Sequence, residues 1–186
     1  HDEHEGHETH EGHAHPDQDY HLFFSPSLMA EIGHVMADRL GEAYPQKAGY
    51  FAQNAAELSA ILEAAQLRMA QMLAPTAPNH FIAMHDVTLY LEADLPIEAI
   101  GFLLTHDHGK PSAGQLRDLQ KLVAKQGAAC VFYEPQLNDK LVKQLTADMG
   151  LPVVTVDQLG SQLPDGADVA AYWRAIEAAL KSCFNS

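Results

Sequence analysis

Positive charge is scarce in this 186-residue chain: 11 Lys and Arg stand against 25 Asp and Glu, a formal net charge of −14. That imbalance disfavours nucleic acid and anionic membrane surfaces as partners and favours cations. Long apolar runs are lacking as well. None approaches the roughly 18 residues of a membrane span, and no signal peptide is visible. The chain begins at His1 rather than Met, which reads as a processed or truncated product. His-Glu-x-x-His, Gly-x-Ser-x-Gly, Cys-x-x-Cys and glycine-rich phosphate loops are missing, so the ordinary enzyme signatures are excluded. Cysteine is limited to Cys130 and Cys183, which fits one disulfide in an oxidising compartment or two buried thiols in a reducing one.

A hydrophobic content of 47% is ordinary for a packed core, and the length suits one α/β domain or one lobe with appendages. Histidine is concentrated at the start. The segment HDEHEGHETHEGHAH carries His1, His4, His7, His10, His13 and His15, and residues 1–19 hold seven carboxylates with no Lys or Arg. With almost no apolar side chains, this stretch cannot offset its ordering entropy and is expected to be a mobile segment. Imidazole and carboxylate are zinc's nitrogen and oxygen ligands, so it reads as a multidentate metal trap of low specificity.

Beyond the tail, Ser25-Pro26 is a helix start, an N-cap followed by proline at the first helical position. Leu28, Ile32, Val35, Met36 and Leu40 are expected to form that helix's apolar face, and Tyr44-Pro45 ends it. From 46 to 73, Phe51, Ala55, Leu58, Leu62, Ala65, Met69 and Met72 alternate steps of four and three, which predicts a long amphipathic helix. After residues 75–79 the pattern changes. Strands are expected near His80–Met84, Ile97–Leu103, Cys130–Glu134 and Val153–Asp157, with helices near Val87–Ala93, Ser112–Gln126, Asn138–Met149 and Asp168–Ser182.

Such alternation implies a four-stranded parallel sheet flanked by helices, with ligand groups at the carboxyl ends of the strands. His85, Thr105 to His108, Glu134 and Asp157 all fall at or just past such ends. His85 and Asp157 are therefore candidate ligands, although Asp86 beside His85 would serve equally well as a helix cap. His21 is a lone imidazole entering the apolar run Leu22-Phe23-Phe24, a place where histidine is more often structural. Thr105-His106-Asp107-His108 begins like the metallo-β-lactamase zinc motif, but Lys110 and Pro111 stand where its Asp and last His belong. That match fails, leaving His106 and His108 as loop residues and auxiliary metal contacts.

Four segments taken in order carry a resemblance: Asp19-Tyr20-His21-Leu22-Phe23-Phe24-Ser25-Pro26, His85-Asp86, Cys130-Val131-Phe132-Tyr133-Glu134-Pro135-Gln136 and Asp157-Gln158-Leu159-Gly160. Together they resemble the zinc branch of the cluster A-I metal-binding solute-binding proteins, the ZnuA type. The resemblance implies two α/β lobes joined by a long rigid helix, with the metal between them, and delivery of that metal to an ABC permease in the periplasm or at the cell surface. By position, His21 and His85 match direct ligands, and a histidine rather than Glu at 85 implies Zn2+ over manganese. Asp157 matches an aspartate that coordinates metal in some members. Glu134 is expected to support a ligand rather than bind metal itself. The resemblance further implies a Cys130–Cys183 disulfide and makes the His-rich segment the family's mobile loop.

The family's N-terminal lobe, with its first histidine ligand, is expected to be absent. The implied layout is residues 1–19 as His- and acid-rich segment, 20–45 as ligand loop and helix on the N-lobe side, 46–74 as connecting helix and 75–186 as C-terminal α/β lobe. A manganese- or iron-binding member and a lobe-only zinc buffer or chaperone are the alternatives. A zinc hydrolase using Glu134 as base is a remote one.

Overall fold

In the computed structural model, residues 19–104, 109, 111–137, 139–147 and 149–185 are described. The His-rich segment through Gln18 and the loop histidines His106 and His108 lie outside them.

Ser25 caps the first helix, its Oγ accepting the Leu28 N–H at 3.1 Å, and Pro26 opens α1, Pro26–Ala43. The same hydroxyl donates to Asp94 Oδ2 at 2.7 Å, fastening the start of α1 to the main body. A short bridge leads to α2, Ala48–Leu73. Its 26 residues span about 39 Å at 1.5 Å each.

Only part of the face of α1 that the sequence pattern singles out is packed, Leu28 and Ile32 being half-buried. Val35, Met36 and Leu40 are exposed, whereas Ala30 and Ala37 are buried. The cause is close helix packing: a Cβ placed on Gly33 would sit 3.0 Å from Leu58 Cδ2, and one on Gly41 would sit 3.3 Å from Ala48 Cβ. Ala30, Gly33, Ala37 and Gly41 thus form a stripe of small residues that lets α1 approach α2, and Val35, Met36 and Leu40 point away. On α2 the expected face holds, with Ala55, Leu62, Ala65 and Met69 buried, although Leu73 rather than Met72 completes it.

The remainder alternates as the sequence predicts: β1 Asn79–Ala83, α3 Leu89–Asp94, β2 Ile97–Phe102, α4 Ala113–Gln126, β3 Val131–Tyr133, α5 Asp139–Thr146, β4 Val153–Thr155 and α6 Val169–Phe184. The strands form one parallel sheet in the order β2-β1-β3-β4. Successive side chains on a strand face opposite ways. Phe81 and Phe132 accordingly join Phe24, Leu62, Met69, Trp173 and Leu180 on the α2/α6 side, while Ile82 and Val131 join Leu119 and Val142 on the α4/α5 side. A disulfide joins Cys130, at the head of β3, to Cys183 near the end of α6. Among the described residues no helix is long and apolar enough to cross a membrane.

Because β2 lies on one side of β1 and β3 on the other, the chain reverses direction across the sheet between β1 and β3. Crevices at the carboxyl ends of strands flanking such a reversal are where open α/β sheets bind ligands. The strands stop slightly earlier than the sequence pattern suggests, which leaves His85, Glu134 and Asp157 on the loops beyond them.

Candidate metal centre

The two candidate histidines arrive from different parts of the chain and meet at this crevice. His85 follows β1, and His21 lies on the loop ahead of α1. Their ring centroids are 5.8 Å apart, with planes crossing at 71°. Phe23 flanks the His21 ring edge-on at 6.0 Å, while Phe24 from the same short helical turn is fully buried and stacked against Trp173 of α6. The His21 loop is thereby anchored to the α/β body by an aromatic contact. Tyr90 of α3 adds a second anchor, donating its hydroxyl to the Asp19 carbonyl at 3.0 Å.

Each imidazole is turned the same way. His21 Nδ1 pairs with Asp19 Oδ1 at 2.6 Å, and the same oxygen accepts the His21 backbone N–H at 2.8 Å. His85 Nδ1 lies 2.7 Å from Glu134 Oε1, a close charge contact rather than a well-aligned hydrogen bond. Both carboxylate side chains are almost wholly buried, Asp19 at 3% and Glu134 at 7% exposure. A buried carboxylate beside Nδ1 favours the tautomer whose Nε2 can take a metal. Such pairing is what metal-binding histidines require of their surroundings. Glu134 thus sits where a carboxylate supporting His85 would sit. The Asp19–His21 contact was not anticipated, although a carboxylate two positions before a histidine on one loop is a readable signal.

Glu134 is itself held. Gln158 Nε2 donates to its Oε2 at 2.6 Å, and the Gln158 backbone carbonyl accepts the Tyr172 hydroxyl at 2.7 Å. Burial, followed by the charge of Asp157, pushes the Tyr172 phenol far above its ordinary value, so it remains a donor.

Asp157 is placed differently. Its Oδ1 accepts from Gln136 Nε2 at 3.2 Å and Ser161 Oγ at 3.0 Å, and its Oδ2 accepts the Gln162 N–H at 2.6 Å. Partial burial alone would raise its pKa, but these hydrogen bonds outweigh burial and hold it below the ordinary 3.8. The carboxylate is ionised and committed to its own loop. Among the described residues no three His, Cys, Asp or Glu side chains converge as a metal cage. The structure thus brings His21 and His85 together with their carboxylates and does not bring Asp157 into that group, joining it instead to the Glu134 loop through Gln136.

The family model described as "Zinc-uptake complex component A periplasmic" matches residues 1–183. The chain belongs to the ZnuA family. A curated relative, the high-affinity zinc uptake system protein ZnuA of Brucella suis biovar 1 (strain 1330), is 30% identical over 170 residues, covering 91% of this chain and 51% of the relative. The chain thus spans about half the length of the curated relatives it matches. Among solved structures, a crystal structure of ZnuA superposes with a TM-score of 0.75 at 24% identity over 90% of this chain and 62% of that one. The laminin-binding adhesin Lmb of Streptococcus agalactiae superposes with a TM-score of 0.76 at 21% identity over the same shares. Both likenesses support the fold, an α/β lobe with a parallel sheet.

Proposed function

We propose that this chain captures Zn2+ outside the cytoplasm and forms the metal-holding part of a solute-binding protein that passes the ion to an ABC importer. Zinc is cargo here, bound and released without being chemically changed, so no catalytic residue is assigned. One observation carries the reading. Two imidazoles from separate elements meet within 5.8 Å, each with Nδ1 on its own buried carboxylate. A borderline-soft ion that takes nitrogen donors, zinc above all, suits such a pair better than manganese, which prefers oxygen.

His21 and His85 are the proposed core ligands. Asp157 joins them by releasing Gln136 and Ser161, and the remaining positions fall to water or to parts of the protein beyond this chain. The tail histidines His1, His4, His7, His10, His13 and His15 act as an accessory collecting segment, as in the zinc branch of cluster A-I. The division into a collecting segment 1–19, a ligand loop and helix 20–45, a connecting helix 46–74 and a metal-facing lobe 75–186 fits this role.

Calorimetric titration with Zn2+ tests the proposal, with the six tail histidines replaced by Gln so that only the specific site is read. His21→Ala and His85→Ala are each expected to weaken binding by tenfold or more. Unchanged affinity in both variants overturns the site.

A further inference from the structure

Gln158 lies within the Asp157-Gln158-Leu159-Gly160 segment but was given no role of its own, yet it occupies the junction of the site. It is buried, with 6% exposure, immediately after Asp157. Its Nε2 donates to Glu134 Oε2 at 2.6 Å, while the other Glu134 oxygen faces His85 Nδ1 at 2.7 Å. Its backbone carbonyl is fixed by the Tyr172 hydroxyl at 2.7 Å, and Tyr172 packs edge-on against Trp173, which is 1% exposed, at 5.0 Å. A continuous series of contacts thus runs from the packed core of α6 through Gln158 and Glu134 to His85.

We propose that Gln158 is a positioning residue of the metal site, orienting the Glu134 carboxylate and, through it, the His85 ring. This inference rests on the zinc-binding reading above.

The chemistry of the side chain supports the role. An amide donor holds a carboxylate without neutralising it, whereas Lys or Arg in the same place would compete with His85 for its charge. The amide orientation is also determined. Turning it over would set Oε1 against Glu134 Oε2, two acceptors in contact, so the donor must face the carboxylate. Oε1 meanwhile is buried with no hydrogen-bond donor among the described residues. A glutamine placed only for packing would not leave its carbonyl so, because a buried unpaired acceptor costs stability. Restricting Glu134 to one orientation removes the rotamer freedom that would let the His85 ring swing away from His21.

The test is a double-mutant cycle on zinc affinity in the full chain carrying Gln at the six tail histidine positions. Gln158→Met keeps the side-chain length and removes the donor. It is expected to weaken zinc binding about tenfold, the lower end for loss of an outer partner. In a Glu134→Gln background the same substitution is expected to change affinity less than about twofold. An affinity within about twofold of the parent for Gln158→Met, or an equal tenfold loss in both backgrounds, overturns the inference. Should Gln158→Met not fold, Gln158→Asn, one methylene short of Glu134, replaces it in the same cycle.

Ring nitrogen NMR of the metal-free protein supplies a readout that a purely structural role would not move. Gln158→Met is expected to change the Nδ1 signal of His85 and leave that of His21 in place, and an unchanged His85 signal counts against the role. His85→Ala separates the two claims. If it binds zinc as the parent does, the site itself is wrong; if it loses binding while Gln158→Met does not, only the role of Gln158 is wrong.

Discussion

Removing the Cys130–Cys183 disulfide should lower stability severely while leaving zinc binding nearly intact. The bond closes a 53-residue loop that includes β3, α5, β4 and most of α6. In the chain-entropy treatment, opening a loop of that size frees the unfolded chain by about 4 kcal/mol at 25 °C. Unfolding entropies near 2.1 cal/mol/K per residue amount to roughly 0.4 kcal/mol/K for a chain of this length, so the loss corresponds to a fall in Tm of roughly 10 °C. Both cysteines are buried in the α2/α6 core, so alanine is the replacement of choice; serine would add the cost of an unpaired hydroxyl. Glu134 lies at the opposite end of β3 from Cys130, and its contacts to His85 and Gln158 do not pass through the sulfurs. Differential scanning calorimetry of Cys130→Ala/Cys183→Ala, and of the parent with and without reductant, measures the shift. A fall of less than about 2 °C would refute the loop-entropy reasoning. A large loss of zinc affinity at temperatures where the variant is folded would refute the independence of the two features.

Three further outcomes follow from the same structure. Glu134→Ala removes the partner of His85 Nδ1 and should weaken zinc binding by about 10–100-fold, measured by competition with a chromophoric chelator. Trp173→Ala empties the position on which Phe24 stacks and should cost about 3–5 kcal/mol in denaturant unfolding; the His21 loop is seated on that contact, so zinc affinity should fall as well. For Asp157, whose pKa is lowered in the folded state, the sign is fixed: stabilisation is complete above its ordinary 3.8 and is lost as pH falls through the folded value. The stability advantage of the parent over Asp157→Asn, followed by urea midpoints, should therefore be full at about pH 6 and shrink as pH falls below 3.8. An advantage independent of pH contradicts the assignment.

Much of the architecture was legible because the local signals agreed with one another. Ser25-Pro26 caps and opens α1 as the sequence predicts, and the four β-like runs became the four strands, each ending slightly earlier than the apolar run suggests. The partial misreading of α1 has a definite cause. Hydrophobic periodicity identifies the largest apolar stripe, but a helix that packs tightly against a long neighbour does so through small residues, and Ala30, Gly33, Ala37 and Gly41 carry little hydrophobic weight.

Of the residues in the proposed site, His85 was singled out by its place at a strand end, and His21 and the supporting role of Glu134 by the family resemblance. Asp19 and Gln158 were not singled out, although both lie in the segments that carry the resemblance, because their side-chain contacts to His21 and Glu134 are not visible in spacing. Asp157 lies just past β4, where the sequence pattern puts it, but its hydrogen bonds are side-chain geometry that spacing does not encode.

The central claim is that the pair His21 and His85, and not the histidine-rich terminus, forms the specific zinc site. The most direct measurement is zinc titration by calorimetry of two full-length variants side by side. One has the six tail histidines replaced by Gln, and the other has His21→Ala and His85→Ala with the tail intact. The account predicts one strong site per chain in the first and only weak, multiple binding in the second. Strong single-site binding that survives in the second variant and vanishes in the first would contradict it.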